Sequence, residues 1–230
     1  MTSIYGFDKI ERDVEKAIPN KRPPTAQLNT ELPLKKPLSK FIHDYAKEKL
    51  PIEAFNHSVR VYLYSLAIIH DQFPDWKLDH EVIFVTSLLH DIGTTDHNLK
   101  ATKMSFEFYG GIISRDLILK QTDCNQEFAD AVTEAIIRHQ DLGESGYITT
   151  LGLILQISTI LDNVGKNTDL IHKDTLNVIN KKYSREGWLS CFANVIESEN
   201  KLKPWSHTTS LGINDFKSGV LGNKVNYEKL

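Results

Sequence analysis

From about Ser39 onward, apolar positions recur every three or four residues, the period of helices that bury one face. FIHDYAKEKL is followed by IEAFNHSVRVYLYSLAIIHDQF, where Phe55, Val59, Tyr62, Leu66 and Ile69 fall on one side. Ser39 is a fair N-cap for the first helix, and Pro51 opens the second. HEVIFVTSLLHDIG is stopped by Gly93; in KMSFEFYGGIISRDLILK the Gly110-Gly111 pair marks either a close approach of backbones or a break. NQEFADAVTEAIIRHQD carries Phe128, Val132, Ala135 and Ile136 on one face. TLGLILQISTILDNVG is apolar nearly all round, the signature of a helix at the centre of a bundle, and Gly165 ends it.

Alternating polar and apolar runs are nearly absent, so repeated βαβ units find no support. The pattern predicts an all-α fold. Five of the eight prolines (Pro19, Pro23, Pro24, Pro33, Pro37) crowd one short stretch, where the missing N–H donors forbid regular pairing. Residues 1–38 therefore read as an extended N-terminal arm outside the core, 39–200 as the helical domain, and 201–230 as an irregular C-terminal tail packed on that domain.

The chain of 230 residues is long enough for one buried core, and no run approaches the ~20 apolar residues of a membrane span. With 27 Lys and Arg against 30 Asp and Glu, the net charge of −3 argues against a protein that neutralises nucleic-acid backbones. Cys124 and Cys191 are far apart and form no CxxC, which excludes a disulfide framework or a cysteine-rich zinc module. The opening MTSIYGFDKIERD has no apolar core of a secretory signal, so a reducing compartment is expected, cytoplasmic or nuclear.

Candidate chemistry begins with Asp162, a carboxylate in an otherwise apolar helix. Its burial is costly unless a cation or several donors face it. His90 and Asp91 close a second apolar helix, and His57 opens the apolar stretch of a third. Two imidazoles and two carboxylates on three buried helices make a first shell for a divalent transition metal, with positions left for water.

The ordered set His57, His90-Asp91, Asp162 resembles the H…HD…D signature of the HD-domain superfamily, metal-dependent all-α hydrolases in which the four matching residues bind metal. The chain is more closely similar to the fungal cyanamide hydratases through NHSVRVYLYSLAI, SLLHDIGTTDHNLKATKMSFEFYGG, AVTEAIIRHQD, GYITTLGLILQISTILDNVG and KPWSHTTSLG. That resemblance spans nearly the whole chain and implies an HD-type helical bundle, a homodimer, and zinc-dependent addition of water to cyanamide, giving urea. Zinc held by His57, His90, Asp91 and Asp162 would lower the pKa of a bound water toward ~7 and supply hydroxide for attack on the nitrile carbon. The donor set alone leaves Fe(II) and Mn(II) open.

Charge developing on the nitrile nitrogen calls for a proton donor opposite the nucleophile. Glu107, between Phe106 and Phe108, is the first choice for acid or base. His139 extends the apolar face of its helix toward the core, Lys103 could stabilise the developing anion, and Asp141 with Phe106 and Phe108 could line the substrate pocket. At about −1.5 kcal/mol per heavy atom, cyanamide gains roughly −4.5 kcal/mol, a dissociation constant near millimolar. Two rivals stand beside this reading: an HD-type nucleotide phosphohydrolase clamping phosphate with Lys103, Arg115 and Arg138, and a non-catalytic HD-fold binding protein.

Overall fold

The computed structural model describes residues 3–121 and 125–223; Cys124 lies outside them. Among the described residues, the elements are β1 (Lys9–Glu11), α1 (Val14–Ala17), α2 (Pro37–Lys49), α3 (Ile52–Gln72), α4 (His80–Leu89), α5 (Asp96–Ala101), α6 (Phe106–Gln121), α7 (Gln126–Ile137), β2 (Tyr147–Thr149), α8 (Thr150–Val164), α9 (Lys173–Lys182), α10 (Trp188–Leu202) and α11 (Asp215–Leu221). The all-α expectation holds, with one exception too short to read from periodicity: β1 and β2 pair antiparallel, Ile10 opposite Ile148.

α3 is the axis of the bundle, flanked by α4 and α8, while α6 and α7 pair with each other and α7 packs on α4 and α8. Two of these central helices read as expected from their apolar content, since Val82–Leu89 and nearly all of α8 are buried. Gly165, at φ 75°, adopts the left-handed conformation that ends α8 and donates its N–H to the Leu161 carbonyl.

The boundaries depart from expectation in three places. The first long helix begins at Pro37, whose fixed φ suits the opening turn, so Ser39 is not its cap; the Ser39 hydroxyl instead donates to Glu81 Oε1 at 2.8 Å. The arm is not wholly outside the core: Ile18 is buried with it, and Thr25 donates twice to Asp71, at 2.7 Å from its hydroxyl and 3.0 Å from its backbone N–H. The region after residue 200 is more ordered than its weak period suggests, because it completes α10, adds a 3-10 turn at His207–Leu211 and then forms α11.

The Gly110-Gly111 pair marks close approach and no break. α6 runs through both glycines, and a Cβ at Gly111 would meet Ile137 at 2.7 Å. The tighter contact is at Gly93, where a Cβ would lie 2.0 Å from the Phe106 carbonyl oxygen and 3.2 Å from Gly110 N. This approach fixes the start of α6 directly against the turn that follows His90 and Asp91. Gly93→Ala should therefore destabilise the fold by about 3 kcal/mol, the upper range for overpacking, read as a shift of the urea midpoint; an unchanged midpoint would show that the two segments separate without cost.

Candidate metal centre and active site

Four elements bring the chemistry together. His57 lies in the second turn of α3, His90 and Asp91 follow α4 directly, Asp162 is near the end of α8, and His139 follows α7. All five side chains are buried, His57 and Asp162 completely.

The ring nitrogens decide the centre. His57 Nδ1 is 2.6 Å from Asp162 Oδ2, and His90 Nδ1 is 2.7 Å from the Ser87 carbonyl oxygen. A carboxylate and a carbonyl only accept, so both Nδ1 atoms donate; the neutral His57 ring then presents a lone pair at Nε2, while a proton and a cation compete for His90 Nε2. These two Nε2 atoms face each other at 3.1 Å, with Asp91 Oδ2 at 3.2 Å from His90 Nε2 and 3.6 Å from His57 Nε2. Two ring nitrogens and a carboxylate converging in the buried interior call for a shared proton or a cation between them. His57, His90 and Asp91 offer ligand atoms all within 4.8 Å of one another, and Asp91 Oδ1 is buried without a hydrogen-bond partner. The donor set suits a divalent metal.

A third imidazole borders this cluster. His139 Nδ1 donates to the Ile136 carbonyl at 2.7 Å, which leaves its Nε2 as an acceptor 3.8 Å from Asp91 Oδ1. Burial and the neighbouring His90 push the His139 pKa down. Burial likewise lowers His57, to about 4. Burial also opposes a charge on His90, but the Asp91 carboxylate and the Ser87 carbonyl outweigh it and raise its pKa. Asp91, despite burial, is held well below the usual carboxylate range by His90, His57 and His139.

The match to the HD domain model covers residues 54–167, from the start of α3 to just past the end of α8. Two curated relatives, the cyanamide hydratases DDI2 and DDI3 of Saccharomyces cerevisiae, are each 57% identical over 225 residues, covering 98% of this chain and 99% of theirs. The chain belongs to the cyanamide hydratase family, within the HD-domain proteins.

Asp162, the fourth residue of the expected set, lies on the far side of the His57 ring. Asp162 touches the Nδ1 edge of His57, opposite the edge that faces His90, and the positive charge its burial demands comes from Arg60 and Arg185. Arg60 Nε donates to Oδ1 at 3.0 Å and Nη2 to Oδ2 at 2.7 Å; Arg185 Nη1 also bonds Oδ1. Burial favours the neutral acid, but these guanidinium groups and His57 hold the Asp162 carboxyl far below its ordinary value. The sequence argument required a cation beside Asp162, and a buried guanidinium answers that need as well as a metal does.

Glu107 opens α6 and is fully buried, its Oε1 2.7 Å from His207 Nδ1 and its Oε2 buried without a hydrogen-bond partner. Glu107 raises the His207 pKa, and the His207 ring stacks on Phe108. Phe106 is buried with its ring edge-on to His139. Lys103 is exposed, whereas Lys203 is the buried lysine of this corner, donating to the Met104 carbonyl at 2.6 Å. The structure does not bring Asp141 into the cluster: its carboxylate pairs with Arg12 at 2.9 Å and Arg138 at 3.1 Å. Arg115 pairs with Asp130 at 2.7 Å, so two of the three basic residues of the phosphohydrolase reading, Arg115 and Arg138, are engaged with acids.

Arg60, Arg185, Lys203 and the Glu107 contact of His207 were not assigned from sequence. Arg60 has a local signal, a charged residue inside the apolar run HSVRVYL, and His207 has one in the KPWSHTTSLG run that the resemblance covers. Because His90 holds a raised pKa, metal uptake displaces its proton, and apparent affinity falls as pH drops through that range. Calorimetric titration with zinc in buffers of different ionisation enthalpy should show proton release that increases as the pH is lowered; heats independent of buffer at every pH would contradict this.

Proposed function

We propose that this protein hydrates cyanamide to urea at a zinc centre formed by His57, His90 and Asp91. The observation that carries the reading is the pair of Nε2 atoms fixed 3.1 Å apart beside a buried carboxylate, in a chain 57% identical to two cyanamide hydratases. A divalent ion bound there supplies Lewis acidity and makes water a nucleophile near neutral pH, with a pKa of ~7.

The protein's own residues move the protons. His139, unprotonated because burial lowers its pKa and anchored through Nδ1, accepts a proton at Nε2 from the attacking water. Glu107 and His207 form the opposite wall. His207, whose pKa is raised by Glu107, is the proton reservoir, and Glu107 passes its proton to the nitrile nitrogen, giving isourea; the isourea hydroxyl proton then moves to the imine nitrogen to give urea, and the proton taken by His139 is released to solvent while His207 takes one up, which restores the starting state. Phe106 and Phe108 restrict the pocket to small nitriles. Lys103 and Asp141 take no part in this scheme.

The surroundings we assign are a cytoplasmic homodimer that detoxifies a reactive nitrile; no helix among the described residues is long and apolar enough to cross a membrane. Purified protein should form urea from cyanamide with about one zinc per chain, and lose the activity on chelation. Urea formation unaffected by chelation, or absent from zinc-loaded folded protein, would overturn the reading. His90→Ala should lose zinc and turnover together, whereas His139→Asn should keep its zinc and lose roughly 10²- to 10⁴-fold in kcat; an unchanged kcat would remove His139 from the proton path.

A further inference from the structure

The contact between Glu107 and His207 joins two segments far apart in the chain, and it belongs to a ladder of ties between them. Lys203 Nζ donates to the Met104 carbonyl at 2.6 Å, Trp205 Nε1 to the Lys103 carbonyl at 3.0 Å, and the His207 backbone N–H to Ser105 Oγ at 2.9 Å. One carboxylate holds both segments at once. Glu199, wholly buried on α10, accepts the Phe106 backbone N–H at Oε1, at 2.7 Å, and the Thr208 hydroxyl at Oε2, at 2.6 Å.

The two donors are the chain neighbours of the two proton carriers. Phe106 precedes Glu107 and Thr208 follows His207, so a single planar group sets the separation of the two backbones from which those side chains project. Phe106 opens α6, where the first N–H groups have no partner within the helix, and a carboxylate is the acceptor that the positive end of a helix favours. Burial raises the Glu199 pKa, while the bonds from Thr208 and Phe106 and the Lys203 ammonium, 3.9 Å away, favour the charged form. Thr208 is buried as well and also lies 3.0 Å from Gln140 Oε1. The His207 side chain, by contrast, keeps 27% of its surface in solvent, so its ring can leave Glu107 for water unless its backbone is held.

We propose that Glu199 and Thr208 are positioning residues of the proton relay, holding His207 within hydrogen-bond distance of Glu107. The proposal rests on the roles given to Glu107 and His207 above, and both residues act through His207. Glu107, Asp141 and Glu199 raise the His207 pKa, Glu107 most, against the burial that lowers it, so the position of the ring can be read from its titration.

The test measures the His207 ring pKa by NMR titration of the isotope-labelled full chain, with urea formation from cyanamide on the same samples. Thr208→Val removes the hydroxyl at nearly constant volume, and Thr208→Ser keeps it. In Thr208→Val the His207 pKa should fall toward the ~6.5 of a free imidazole. Its kcat should fall roughly 10- to 100-fold, the effect of displacing a reacting group by about an ångström. KM and zinc content should stay unchanged, and Thr208→Ser should restore both kcat and the His207 pKa. Introduced into His207→Asn, Thr208→Val should cause no further loss of kcat, because its effect passes through the ring already removed. Glu199→Asp, too short to hold both donors, should follow Thr208→Val and carries the test if that variant fails to fold. A His207 pKa unmoved in both variants, or a further loss in the His207→Asn background as large as in the unaltered one, would overturn the proposal. Unaltered protein that carries zinc and forms no urea would instead overturn the relay reading, and the His207 pKa alone would then decide whether the tie holds the ring.

Discussion

Two imidazole nitrogens facing each other 3.1 Å apart inside the buried helical core are a contact that only a shared cation or proton can stabilise. Much of the molecule serves to hold them there. Ser87, one turn before the end of α4, fixes His90 through its carbonyl, and Asp162 on α8 fixes His57. Since α3, α4 and α8 pack on one another through apolar faces, the two rings cannot separate without opening the core. The low dielectric that makes the contact costly without a cation also strengthens the binding of one.

Charge is distributed in two compartments around the centre. Behind His57, two arginines and one carboxylate form a closed ionic cluster whose hydrogen bonds are filled from within the protein. In front, Asp91 Oδ1 and Glu107 Oε2 are buried without hydrogen-bond partners, and His139 Nε2 points toward the first of them. The segment that follows α10 reaches the start of α6, because His207 contacts Glu107 while Thr208 and the Phe106 backbone N–H both donate to the buried Glu199.

The buried glutamate and lysine of that segment explain why a sequence with weak periodicity packs firmly. Lys203 and Glu199 are both nearly or wholly inaccessible, each bonded to the loop and helix start around Met104 and Phe106. These polar contacts dock this part of the chain together with Val220, buried in the core, and Phe216, whose ring meets Phe192 edge-on. The arm follows similar logic, attached by the Thr25 contacts to Asp71 and by Arg22 exchanging backbone hydrogen bonds with Gln72.

Periodicity and composition were sufficient for the helices of the central bundle, because burial of an apolar face is a property that a local run of residues carries by itself. The residue types of the centre were legible for a related reason: His57, His90, Asp91 and Asp162 are polar groups set in apolar helices, and each demands a partner. Which partner each one finds is not a local property. Asp162 could have met a metal or a guanidinium, and both arginines that meet it arrive through tertiary packing, Arg60 from α3 and Arg185 from far along the chain. The same holds for Lys103 and Lys203, equivalent as residue types but placed by the fold at the surface and in the interior. The sequence by itself determined an all-α bundle with buried imidazoles and carboxylates; the tertiary structure decided which nitrogen faces which oxygen, because hydrogen-bond direction is set only when the helices meet.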